Sequence, residues 1–150
     1  IYVTITGIPG LERLYEEARN IGLMLYSNDT EAVKGSMKAL PHVVQNKKIV
    51  FQFARSGWGS VWLSLFTGTP IVVPEHDAID DPEIFFNNRA VEALGIGMVY
   101  HGEPLSEILK KCGDMHMNCM RAKENILSRF GTIDGNVECA KLFANDFLKN

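Results

Sequence analysis

The feature that most constrains the fold is a repeated alternation of short apolar runs with longer segments of helical periodicity. Residues 49–54 and 69–74 are rich in β-branched and aromatic side chains, and residues 60–66 between them have an apolar helical pattern that ends at Gly68. Strands of a parallel sheet have such near-continuous apolar runs because helices cover both faces. The pattern therefore predicts an α/β, Rossmann-like open parallel sheet with helices on both faces and right-handed connections.

The rest of the chain continues this alternation. Residues 31–37 fit either a strand interrupted by Gly35 or a helix, and we favour the strand. The other segments are assigned from periodicity and from Gly and Pro positions. Further strands are predicted at residues 1–6, 23–27 and 97–100, and further helices at residues 11–21, 41–46, 82–94, 104–111, 114–129 and 134–149.

Composition excludes several classes of protein. With 150 residues, 46% of them hydrophobic, the chain is long enough for one domain with its own core. The net charge is −3 and the sequence has no run of like charges, so it offers no basic surface that would bind a nucleic-acid backbone. The longest apolar stretch, residues 60–74, is interrupted by threonine, glycine and proline, so no transmembrane segment is expected. Three cysteines without a CxxC pair favour a reducing compartment, and we expect a cytoplasmic location.

The segment with the most candidate functional residues connects the strand predicted at residues 49–54 to the following helix. At the carboxyl end of a parallel strand, a helix amino terminus offers free N–H groups and a positive dipole end, which suits a phosphate group. Glycines let amides approach the anion, a serine hydroxyl can donate, and an arginine can bind a diphosphate through two hydrogen bonds. The alternative is a tight turn whose arginine pairs with a surface carboxylate. The segment comprises Arg55, Ser56, Gly57, Trp58, Gly59 and Ser60.

Other phosphate and hydrolase motifs are excluded by spacing. A dinucleotide fingerprint needs a glycine where this chain has Trp62, and the Gly-Lys-Ser/Thr of a P-loop does not occur. The chain has neither a Gly-x-Ser-x-Gly elbow nor a His-Glu-x-x-His motif. The cysteine and methionine cluster at residues 111–120 matches no zinc spacing, so we interpret it as helix packing.

Residues 50–97 resemble the C-terminal nucleotide-sugar-binding domain of two-domain (GT-B) glycosyltransferases, including UDP-glycosyltransferases and lipid-II-forming N-acetylglucosaminyltransferases. The likeness rests on Arg-Ser-Gly-Trp-Gly-Ser at residues 55–60, on the strand at residues 69–74 and on residues 86–97. The first strand with its Gly7 to Gly10 loop and the closing helix at 137–148 also match. The resemblance implies that residues 1–150 form one donor-binding domain, separate from its N-terminal acceptor domain or subunit.

The resemblance also implies roles for residues. Residues 55–60 would bind the donor diphosphate, Gly7 and Gly10 would lie near the donor, and no metal or cofactor is needed because a nucleotide sugar, expected to be a UDP-sugar, is the substrate. The donor sugar would contact His76, Asp77, Glu83 and Asn87. For His76 and Asp77 the alternative is an ordinary solvated loop.

Two positions depart from the family pattern. Leu63 stands where many members have a ribose-binding glutamate, and Ile84 stands where they have a glutamine beside the sugar-binding carboxylate. The catalytic base is expected on the acceptor domain, so no catalytic residue is assigned here, and the isolated chain is expected to bind a donor without transferring a hexose. The alternatives are an epimerase-like relative and a non-catalytic partner subunit with a decayed nucleotide site.

Overall fold

A computed structural model describes residues 1–4, 11–77, 79 and 81–147, the last without its side chain. The predicted loop glycines Gly7 and Gly10 lie outside the described residues. The strands are β1 (Tyr2–Val3), β2 (Tyr26–Ser27), β3 (Met37–Lys38), β4 (Gln52–Phe53), β5 (Ile71–Pro74) and β6 (Gly97–Tyr100). The helices are α1 (Leu11–Asn20), a 3₁₀ helix (Pro41–Gln45), α2 (Trp58–Thr67), α3 (Pro82–Leu94), α4 (Leu105–Phe130) and α5 (Gly135–Phe147).

All strand pairs of the described sheet are parallel, and the strand order is β3-β2-β1-β4-β5-β6. The central strand β1 pairs with β2 on one side and with β4 on the other, with Tyr2 opposite both Tyr26 and Gln52. The direction of winding therefore reverses between β1 and β4. In open α/β sheets a crevice forms at the carboxyl ends of the strands at such a switch point.

The core lies on both faces of the sheet, as the apolar strands predicted. Along β5, Val72 packs into one cluster with α1 and the first half of α4, whereas Ile71 and Val73 pack into a second cluster with α2 and α3. This division follows the two-residue side-chain period of a strand. The predicted α/β Rossmann-like fold is thus confirmed.

Helix ends follow the glycine and proline signals in the sequence. Helices α2 and α3 are followed by Gly68 and Gly95, both in the left-handed region with φ of 77° and 64°. Asp81 caps α3 by accepting a hydrogen bond from the Glu83 amide at 2.8 Å, and Pro82 begins the helix. These caps satisfy backbone groups that would otherwise have no partner at the helix ends.

The prediction of separate helices at residues 104–111 and 114–129 is wrong, because α4 is one helix of 26 residues. Gly113 lies within this helix, and Ile108, Cys112, Met115 and Cys119 continue one buried face across it. Burial also raises the pKa of the Cys119 thiol to about 12. The interpretation of these cysteines as packing residues is therefore confirmed.

The strand favoured at residues 31–37 is confirmed only at its end, in β3. Residues 30–35 form turns, and Asp29 Oδ1 accepts hydrogen bonds from the Glu31 and Ala32 amides at 3.1 and 3.0 Å. This local side-chain bond replaces the sheet partners that a strand would supply. No helix in the described part of the chain is long and apolar enough to cross a membrane.

Candidate functional site

A cavity of about 500 Å³ opens at the carboxyl ends of β1 and β4, the two strands between which the winding reverses. Its walls come from the first turns of α2, from β1 and β4, and from the start of α3. Among the described residues it is lined by Tyr2, Thr4, Pro41, Gln52, Gly57, Trp58, Gly59, Ser60, Leu63 and Glu83. The structure thus places five of the predicted site residues around one cavity: Gly57, Trp58, Gly59, Ser60 and Glu83.

The amino end of α2 borders this cavity, and two glycines leave open space beside its backbone. Helix α2 begins at Trp58, two residues earlier than predicted, and its N-cap is Gly57, which has no side chain to accept a hydrogen bond. A Cβ atom built on Gly57 or Gly59 would meet nothing within 4 Å. Neither glycine has a positive φ. Glycine is therefore not required there by a tight-turn conformation, and what it provides is open space beside the backbone amides.

Two asparagines of α3 hold the loop between β4 and α2 in place. The buried Asn87 donates through Nδ2 to the Ser56 carbonyl at 2.6 Å. Its neighbour Asn88 accepts from the Ser56 hydroxyl at 2.6 Å and donates to the Pro74 carbonyl at 2.9 Å. Buried polar groups paired in this way fix backbone positions. The Ser56 hydroxyl consequently points into the protein, and Asn87 uses Nδ2 to position the loop.

A carboxylate already occupies the amino end of α2. Glu83 Oε1 accepts a hydrogen bond from the Trp58 amide at 2.8 Å and a second one from Asn87 Nδ2 at 3.1 Å. An anion at this place interacts favourably with the positive end of the helix dipole. Glu83, predicted to contact the donor sugar, thus lies directly at the predicted diphosphate position.

Arg55, which the sequence predicted to bind the diphosphate, is not among the residues that line the cavity. Arg55 is exposed on the loop just before α2. Trp58 is 62% exposed, and its ring stacks on Trp62 with a centroid separation of 6.1 Å. Trp58 lines the cavity, whereas Trp62 packs against the core cluster beneath α2.

His76 and Asp77 lie in the loop after β5, outside the cavity wall. The His76 ring packs edge-on against Phe85 with centroids 5.5 Å apart, and its buried Nε2 has no hydrogen-bond partner among the described residues. Asp77 accepts a hydrogen bond from the Ile79 amide at 3.1 Å. Both residues lie at the same end of the sheet as the cavity, because the loop follows the carboxyl end of β5.

Three residues that sequence reasoning did not select also shape the site. Gln52 donates through Nε2 to the Ser60 carbonyl at 2.9 Å and to the Ser64 hydroxyl at 2.7 Å, which fixes the start of α2 on β4. Tyr2 lines the cavity, and its buried hydroxyl has no hydrogen-bond partner in the described part of the chain. Burial raises the pKa of this phenol, which keeps it a neutral donor. Asn88 is the third. A polar residue inside an apolar run was the available signal for Gln52, since buried polar groups need partners.

A second cavity, of about 650 Å³, lies at the opposite ends of β4 and β5. It is bordered by Thr69 and Pro70 before β5 and by Cys112 and His116 of α4. His116 Nδ1 is hydrogen-bonded to the Gly68 carbonyl at 2.7 Å. None of the predicted site residues lines this cavity.

Solved structures with a similar fold include nucleotide-bound and sugar-transferring proteins. One is Os79 from O. sativa in complex with UDP, with a TM-score of 0.56 and 19% identity over 91% of this chain and 39% of that chain. A second is the glycosyltransferase SnogD from Streptomyces nogalater, with a TM-score of 0.56 and 18% identity over 82% of this chain and 38% of that one. A third is the glycotransferase of kitacinnamycin, with a TM-score of 0.50 and 15% identity over 85% and 42%.

No protein-family model matches the chain, and no curated protein matches it. The chain spans less than half the length of each of these solved structures. At such low identity the likeness concerns the fold. The predicted GT-B resemblance is confirmed at that level: this Rossmann-like sheet is shared with glycosyltransferase structures.

Proposed function

We propose that this chain is the nucleotide-sugar-binding domain of a glycosyltransferase, with a UDP-sugar as donor and a hexose as the transferred group. The observation that carries the proposal is the cavity at the switch point of the sheet, where the amino end of α2 borders open space beside Gly57 and Gly59 and already binds an anion, the Glu83 carboxylate, through the Trp58 amide. Ligands of open α/β sheets bind at this place, and helix amino ends bind phosphate. The shared fold with Os79, solved in complex with UDP, supports UDP as the nucleotide.

The role proposed for each residue in donor binding follows from the charges at the site. Negative charge develops on the departing nucleoside diphosphate during sugar transfer, and the α2 amides with Arg55 would stabilise that charge. Gly57 and Gly59 leave room for the diphosphate to approach the backbone. His76, Asp77, Glu83 and Asn87 remain the residues proposed to contact the sugar, and Gly7 and Gly10 those proposed to lie near the donor.

Acceptor binding and proton abstraction are assigned to a separate domain or subunit. The chain corresponds to 39% of Os79 and 38% of SnogD, so more than half of each of those proteins has no counterpart here. Positioning an acceptor against the donor requires a second wall of the cleft. We therefore propose that residues 1–150 act together with an N-terminal acceptor-binding partner.

Isothermal titration calorimetry with UDP, UMP and uridine tests the proposal. If the α2 amino end binds the diphosphate, affinity should decrease from UDP to UMP and again to uridine, because each step removes a phosphate group. ADP and GDP titrations test the base. Equal affinity for UDP and uridine would contradict the phosphate site. Absence of binding to all of these nucleotides would favour a non-catalytic partner subunit.

A further inference from the structure

We propose that Glu83 is a built-in competitor of the donor diphosphate, so that its carboxylate must leave the amino end of α2 before the nucleotide can bind there. The inference rests on the proposed function and adds a control of affinity to that same site. It assigns Glu83 a role in addition to sugar contact: its carboxylate binds the same helix end that we propose for the diphosphate.

The contact itself is direct. The Trp58 amide is the first N–H group of α2, and it donates to Glu83 Oε1 at 2.8 Å. Glu83 is also one of the residues that line the cavity. A carboxylate oxygen and a phosphate oxygen use the same amide and the same end of the helix dipole. Both anions cannot occupy this place together, because like charges at contact distance repel each other.

The side chain is able to move away. Glu83 is exposed, so withdrawal from α2 does not require a buried group to leave the core. Its own helix does not depend on the carboxylate, because Asp81 caps α3 by accepting from the Glu83 amide. The carboxylate therefore bridges from α3 to α2 without serving as the cap of α3.

The site should keep its shape after Glu83 has moved. Asn87 donates through Nδ2 to the Ser56 carbonyl as well as to Glu83, and Asn88 holds the Ser56 hydroxyl. These buried contacts position the loop before α2 independently of the carboxylate. A nucleotide would thus enter a preformed site, and the competing carboxylate alone would reduce its affinity.

Calorimetric titration of UDP and UDP-glucose into four proteins tests the inference. The proteins are the wild type, Glu83→Ala, Glu83→Gln and the control Glu92→Ala, which removes the same charge near the other end of α3. Glu83→Ala should bind UDP about 2- to 30-fold more tightly, the range that corresponds to an N-capping contact. Glu83→Gln should lie in between, because the amide oxygen can still accept from Trp58 but carries no charge. Glu92→Ala should match the wild type.

Other outcomes separate the possible failures. If the wild type binds UDP and Glu83→Ala binds it no more tightly, the competitor role is overturned and the proposed function stands. If Glu83→Ala weakens UDP-glucose and leaves UDP unchanged, Glu83 acts only as a sugar contact, which also overturns the inference. If no variant binds any nucleotide while all melt cooperatively, both proposals fail. Thermal melts of each variant establish that the protein is folded.

Discussion

Gly59 occupies the first turn of α2, a position where most residues would stabilise the helix more than glycine does. A Cβ atom there would meet no other atom within 4 Å. We expect Gly59→Ala to raise the free energy of unfolding by about 0.5–1 kcal/mol, because alanine restricts the unfolded chain and favours the helix. The same methyl group should weaken UDP binding, since it projects into the space where the diphosphate approaches. Thermal melts and calorimetric titrations of the same variant measure both effects.

The matched control for this substitution is Gly113→Ala, a glycine-to-alanine change within α4. Gly113 lies in a helix and also has open space around it. It should gain stability without any change in UDP affinity. Unchanged UDP affinity in Gly59→Ala would show that the amino end of α2 is not part of the binding site.

Arg55 is the cationic residue expected to contact the diphosphate. We expect Arg55→Ala to weaken UDP binding by about 1.5–3 kcal/mol, the usual contribution of a hydrogen bond to a charged group. Stability should change little, because Arg55 is exposed. Arg121→Ala, an exposed arginine of α4, controls for the loss of one positive charge. Equal UDP affinity in Arg55→Ala and wild type would exclude Arg55 from the site.

The sequence was sufficient to predict several residues that surround the cavity. It was not sufficient to predict the hydrogen bonds that their side chains form. Gly57, Gly59 and Ser60 were predicted from the local strand-to-helix pattern, and they line the cavity. The partners of Ser56 could not be predicted in this way, because Asn87 and Asn88 are about thirty residues further along the chain. Only the packing of α3 against the loop brings their amides to it.

Among the elements, α4 departs most from the sequence prediction. Cys112 and Gly113 lie between the two helices predicted at residues 104–111 and 114–129, yet the helix continues through them because its buried face continues. Tertiary packing here outweighs the cost of one glycine, which is about 1 kcal/mol. The strands other than β3 and the helices α1, α2 and α3 were predictable, because an apolar pattern marks each of them and glycine or proline residues mark the turns between them.

The continuity of α4 makes a prediction about Gly113. In an uninterrupted helix, Gly113→Ala should stabilise the protein by about 0.5–1 kcal/mol, since alanine is the better helix former and no neighbour obstructs its methyl group. Urea unfolding followed by circular dichroism measures the difference. A loss of stability would instead indicate that residue 113 needs a backbone conformation that alanine disfavours.

At the scale of the whole molecule, the proposed separation of donor and acceptor sites makes a prediction about the isolated chain. We expect the isolated chain to bind UDP-glucose and to show no transfer to lipid or small-molecule acceptors, because holding two reactants together supplies most of the advantage of such a cleft. A coupled assay for released UDP, run with and without acceptors, measures this. Sustained turnover that depends on an acceptor would contradict the proposed division into two domains or subunits.

The strand order also has a consequence for assembly. The strand that comes first in the chain stands in the middle of the sheet, and it must join β4 across about fifty residues of intervening chain. Closing so long a loop costs entropy before the pairing is gained, so formation of the sheet should be slow compared with that of its helices. Deleting β1 would leave β2 and β3 on one side and β4, β5 and β6 on the other, two fragments with no backbone hydrogen bonds joining them. The crevice that we propose as the nucleotide site would disappear with it, because it lies where these two halves meet.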